Sequence, residues 1–300
     1  MGIRNATRIL QFTVLTLISL FITGRSAAQT ADQSPQQLVR ETVKHELAGG
    51  TAHSRFMYTD HKVAAQGSRT ERMIETNQGT ASLLVAVDDK PASVQQRQED
   101  EHRLAEMKEN SSELKKKEKN DKEGQEHENR IIRALPDAFL FDLDGTEPGR
   151  DGVGKPGDEL VRLIFHPDPK YVPPSRVEEV LTAMQGVLVI DKTQHRIARI
   201  DGTLFKEVAF GWGILGHLDK GGHFLVEQAD EGNGAWEVTH QKLQFTGKIL
   251  MLKRLDIKSD EVFSEFHPVS PNLTFAQGVD LLEKEPAQMA QDRTDKGLHK

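Results

Sequence analysis

The chain has no cysteine among its 300 residues. That excludes disulfides, thiolate metal sites and a lipid-modified cysteine at a processed N-terminus. No Gly-x-Ser-x-Gly elbow is present, so a serine hydrolase has no support. No internal repeat of fixed period marks a solenoid or propeller. Positive charge is short too. Lys and Arg number 39 against 46 Asp and Glu, a formal net charge of -7. Such a balance repels nucleic-acid backbones, so no polynucleotide partner is expected.

What is present begins with a processing signal. Arg4 and Arg8 precede an apolar run from Ile9 to Ile22, and small residues at Ser26 and Ala28 follow. The run is shorter than the about 20 residues a bilayer span requires. A basic end, a short apolar middle and a small-x-small exit predict a cleaved signal peptide over 1–28 and an exported, periplasmic or secreted protein. Cleavage removes three arginines and no acid, taking the net charge from -7 to -10. The mature chain is long enough to bury about three quarters of its unfolded surface, so it needs no covalent staples.

Three sites carry helix-start chemistry. Ser34-Pro35-Gln36-Gln37, Ser93-Val94-Gln95-Gln96 and Ser175-Arg176-Val177-Glu178 all place serine three residues before Gln or Glu, the pattern of a capping box. Between the first two, glycine-bearing turns at Gln66-Gly67-Ser68 and Asn77-Gln78-Gly79 separate three extended segments, His53–Ala64, Arg69–Thr76 and Thr80–Val87. From Gly186 to Phe266 almost every segment reads as strand or turn. Asp201-Gly202, Glu231-Gly232-Asn233-Gly234 and Thr246-Gly247-Lys248 are the expected turns. Tight turns favour antiparallel meanders over parallel crossovers. Phe275 opens a final helix. The expected organisation is one α+β domain over 29–284. It is a curved antiparallel sheet of about eleven strands, an open half-barrel, with helices packed on or inserted into its concave side. A charged helical insertion over 93–133, a Gly/Pro loop over 144–157 and a flexible tail over 285–300 complete it. Lys115 to Arg130 contains no large apolar residue. It reads as a solvated helix that Gly124 divides, or as a charged arm for an envelope protein partner.

Two phosphate signatures overlap at Phe141. Asp142-Leu143-Asp144-Gly145-Thr146 resembles the nucleophile motif of haloacid dehalogenase-like phosphohydrolases. That resemblance implies Asp142 as nucleophile, Asp144 as acid-base group and magnesium as cofactor. Gly149 to Lys155 spells part of a P-loop, but Pro156 stands where the magnesium-binding hydroxyl belongs. The phosphohydrolase motif needs a parallel strand followed by a helix. Here five glycines and two prolines lie between Gly145 and Gly157, and a meander follows. The expectation is a strand-ending turn and a mobile glycine loop, with no catalytic residue, metal or cofactor. His217 and His223 flank Asp219 without a recognised zinc spacing.

The helix, the early hairpins and the segments "MQGVLVIDKTQHRIARIDG", "GNGAWEVTHQKLQFTGKILMLKRL" and "EVFSEF" together resemble the outer-membrane lipoprotein-sorting family, which has the LolA-like fold. The resemblance is clearest from Gly186 to Phe266. It implies an incomplete antiparallel barrel whose apolar space receives acyl chains, without catalysis. The expected pocket wall comprises Leu188, Ile190, Phe205, Phe224, Val226, Leu250 and Leu252. Phe210 and Trp212 lie in a glycine-punctuated segment that reads either as a movable flap or as a packed connection. The expected ligand is a lipid, a lipoprotein acyl chain or another hydrophobic molecule. Two other readings are a protein-interaction module with a filled core, and the phosphohydrolase on Asp142 and Asp144.

Overall fold

A computed structural model describes residues 33–49, 54–210, 216–249 and 253–284. The signal-peptide segment, Trp212, Leu250, Leu252 and the tail after 284 lie outside the described residues. The chain divides into a unit of Met1–Ser34 and a unit of Pro35–Lys300, and the fold is that of the second.

Among the described residues, thirteen strands form one open, antiparallel sheet, and five helices accompany it. Three hairpin runs build it. The first is β1 (Arg55–Ala64), β2 (Gly67–Thr76), β3 (Gly79–Val87) and the short β4 (Lys90–Pro91). The second is β5 (Phe139–Pro148), β6 (Glu159–Pro167), β7 (Met184–Asp191) and β8 (Arg196–Leu204). The third is β11 (His223–Asp230), β12 (Trp236–Ile249) and β13 (Lys253–Val269). Two long-range joints unite them: β8 pairs with β11, and β13 pairs with β1, so the first and last strands lie side by side. β9 (Val208–Phe210) and β10 (Gly216–Leu218) branch off this path against β12.

The helices sit on different parts of the sheet. α1 (Pro35–Gly49) and the last turns of α3 (Ser111–Ala138) pack on β5–β8. They bury Leu38, Val39, Val43 and Leu135 against Phe139, Leu163, Phe165, Leu188 and Ile190. The Gln36 amide donates to the carbonyls of Pro136 and Phe139, which ties α1 to the end of α3. α2 (Val94–Glu109) and α5, helical over 275–284, pack on β2 and β3 through Leu104, Phe275, Val279 and Leu282 around Ile74 and Leu83. Asp100 fastens α2 by accepting from the Leu84 amide at 2.8 Å. α4 is one turn, Arg176–Glu179, continued by a 3-10 turn, Val180–Ala183, and is shorter than its capping box suggested.

Several expectations need correction. Gly124 does not divide the charged segment. The break is at Asn110, whose side chain accepts from the amides of Ser112 and Glu113 and so caps α3. Asp144-Gly145 does not end a strand: β5 continues to Pro148 through a bulge between Leu143 and Gly145. Asp201-Gly202 and Thr246-Gly247 lie inside β8 and β12, not in turns. The glycine loop is docked on the sheet. Val153 is buried with Leu160, Val189, Ala198 and Trp236, the Gly154 amide donates to Gln228 O at 2.8 Å, and Thr239 Oγ1 donates to Gly152 O at 2.6 Å.

Candidate functional site

An apolar groove of about 510 Å3 lies between α3 and the sheet. α3 contributes His127, Glu128, Ile131, Ile132 and Leu135. From Glu128 on, these recur at spacings of three, one and three, so they share one helix face. Its apolar part meets the β5–β8 core in the final turns; Leu114 near the start of α3 packs on the Ile74–Leu83 cluster, and the stretch between is charged. There, the pairs Lys117–Asp121, Glu118–Lys122 and Lys119–Glu123 hold a solvated helix together.

The other walls come from alternate positions on neighbouring strands, where period-two side chains line up across the ladder. Phe141 pairs with Phe165, Leu188 with Ile200, Ile200 with Val226, Val226 with Gln241, and Phe224 with Leu243. All eight line the groove. Its β5–β7 side is sealed core. Its β11–β12 side, formed by Phe224, Val226, Val238, Leu243 and Phe245, is only half-buried.

Two glycines place the aromatic rings on that wall. A Cβ on Gly202 would lie 2.6 Å from Phe224 Cε1, and one on Gly222 would lie 2.4 Å from Phe245 Cδ1. Each ring therefore lies over a backbone that only glycine leaves bare. This is why Gly202 belongs in a strand: it marks a close approach rather than a chain reversal.

Of the wall residues expected from sequence, Leu188, Phe224 and Val226 line the groove. Ile190 does not; it is wholly buried in the adjoining core, where it pairs with Ile197. Phe205 lies just past β8, 36% exposed, with Lys206 over its ring. Phe210 ends β9, packs with Ala183, Leu204 and Val208 and does not line the groove. Sequence reasoning missed the α3 stripe and the lining by Phe139, Phe141, Phe165, Val238, Leu243 and Phe245. The 128/131/132/135 spacing was the available signal for the helix wall.

The phosphohydrolase setting is not formed around Asp142 and Asp144. Both lie on β5, the last strand of an antiparallel sheet. Asp142 has a side chain 74% exposed, 3.5 Å from His166, and Asp144 is held by Arg162 at 2.9 Å. Lys155 lies in the docked loop.

Among the described residues, one trio could hold a cation: Glu207, His217 and Asp219, whose donor atoms lie within 4.8 Å of one another. Thr246 Oγ1 donates to Asp219 at 2.7 Å. His223, the other half of the pair noted in the sequence, is engaged elsewhere, 2.9 Å from Asp201.

Carboxylates with raised pKa values gather on β1, β2 and the start of β12. Burial, and next the Glu75 charge, push Glu237 up to about 8. Burial, then Glu261 and Glu71, push Asp60 up to about 6. Glu75 is also raised by burial, although the Phe56 amide donates to it at 3.0 Å. Among the described residues no helix is long and apolar enough to cross a membrane. Comparison with family models, with curated proteins and with solved structures finds no match to this chain.

Proposed function

We propose that the chain is an exported, non-enzymatic carrier or binding protein of the lipoprotein-sorting type, whose groove receives an acyl chain. The observation that carries this reading is the half-open apolar wall of β11 and β12. Five large apolar side chains there face a groove that α3 roofs but does not fill. A packed core leaves few voids larger than a water molecule, so an elongated apolar space of this size suits a ligand better than a fold without one. The solvated, charged stretch of α3 is then the surface for an envelope protein partner.

Each methylene transferred into such a groove contributes about 0.8 kcal/mol. Ten contribute about 8 kcal/mol, against an association cost of about 4–15 kcal/mol. Binding should therefore strengthen about fourfold per added methylene until the groove is full. Native mass spectrometry after incubation with monoacylglycerols of increasing chain length tests this. The expected result is a bound mass whose occupancy climbs with chain length and then levels off. A mass that stays apo at every length favours the filled-core interaction module instead. Magnesium-dependent phosphate release abolished by Asp142→Asn would reinstate the phosphohydrolase.

A further inference from the structure

The few polar residues of the groove lining have a definite charge character. Only four of its lining residues are polar: His127, Glu128, Gln228 and Gln241. No lysine or arginine is among them. The nearest arginines in sequence, Arg130 and Arg133, fall on other faces of α3, and Arg130 is 3.8 Å from the buried Glu178. Glu128 stands one turn before Ile131 and Ile132 on the groove face. It is exposed to solvent on that face. Partial desolvation by the neighbouring protein raises its carboxyl above the ordinary range, with no charge nearby to offset it. It has no ion-pair partner among the described residues.

Resting on the acyl-chain reading of the groove, we infer that the ligand is a lipid with a positively charged, ammonium-bearing head group, for which Glu128 is the counter-ion. A carboxylate or phosphate head would meet an acid at this position and find no cation in the lining. An ammonium head meets a carboxylate that has no ion-pair partner among the described residues.

Displacement of a neutral fluorescent naphthyl probe by three amphiphiles of equal tail length tests this: dodecylammonium, monolauroylglycerol and dodecanoate. Dodecylammonium is expected to bind about tenfold more tightly than dodecanoate, with monolauroylglycerol between them. In Glu128→Gln the spread among the three should shrink to about twofold, and in Glu128→Lys the order should reverse. Dodecanoate binding as tightly as dodecylammonium, or an unchanged spread in Glu128→Gln, overturns the head-group assignment and leaves the groove reading standing. Failure of all three to displace the probe removes the groove reading and this inference with it.

Discussion

Truncating two leucines separates an open groove from a filled core. Leu163 is fully buried at 0% exposure, on β6 beneath α1 and α3. Leu163→Ala deletes three carbons and leaves a cavity, at a cost of about 3 kcal/mol within a usual range of about 2–5. Leu243 is half-buried on β12 and faces the groove. Its three carbons would contribute about 2.4 kcal/mol if wholly buried, and about half of that when water already reaches one side. No new cavity opens, so Leu243→Ala should cost about 1 kcal/mol. The affinity effects should run the other way. Leu243→Ala should weaken acyl-chain binding about fourfold, roughly one methylene of contact, while Leu163→Ala leaves it near wild type. Urea denaturation read at constant m, paired with probe displacement, measures both quantities. If Leu243→Ala proves as destabilising as Leu163→Ala and binding does not change, side chains fill the groove in solution and the carrier reading fails.

Three other outcomes follow from single positions. Gly202→Ala places a methyl in contact with the Phe224 ring, so it should destabilise by about 1–3 kcal/mol and weaken ligand binding, because the ring must swing into the groove; an unchanged affinity would show that Phe224 is not a wall. The folded chain holds protons on Glu237 and Asp60 that the unfolded chain releases above pH of about 4. Stability should therefore fall as pH rises from about 4 to 8, and Glu237→Gln should raise it at pH 8.5 by about 2–4 kcal/mol while leaving pH 4 unchanged, as followed by denaturation midpoints across pH. Gly124 has no atom within 4 Å of where its Cβ would stand. Gly124→Ala should then stabilise by about 0.5–1 kcal/mol in thermal unfolding, and a loss of stability would mean that α3 does not run through this position.

The antiparallel, open character of the sheet was legible because strand-length apolar segments are linked by turns too short for crossovers. β1, β2 and β3 lie close to their expected bounds, since Gly67 and Gly79 adopt positive φ at the strand starts after their turns. The same reasoning misplaced Asp201-Gly202 and Thr246-Gly247. Glycine in a strand answers to what crosses it: Phe224 over Gly202, and the His217 carbonyl 2.1 Å from where a Cβ on Gly247 would be. Such approaches depend on strands distant in the chain, and local composition does not carry them. The joining of β13 to β1 and of β8 to β11 is illegible for the same reason. The docking of the glycine loop depends on Val153, one apolar residue in a polar run, finding a pocket under Trp236. On the groove, three of the nine expected wall residues line it; three, Trp212, Leu250 and Leu252, lie outside the described residues. Ile190 shares the Leu188 face of β7 but lies further along the strand, in the core beside the groove. Phe205 and Phe210 fall where the chain leaves β8 for the β9–β10 branch. The α3 wall was written in the sequence as a four-residue helical stripe, obscured by the charged residues before it.

The central claim is that an acyl chain lies between α3 and the β11–β12 wall. Photo-crosslinking with a diazirine-bearing monoacylglycerol, followed by peptide mapping, tests it most directly. The expected labels fall on peptides containing Ile131, Ile132 or Leu135 and on those containing Phe224, Val226 or Leu243, and excess unlabelled lipid removes them. Labelling confined to other peptides, or labelling that excess lipid does not reduce, contradicts the account.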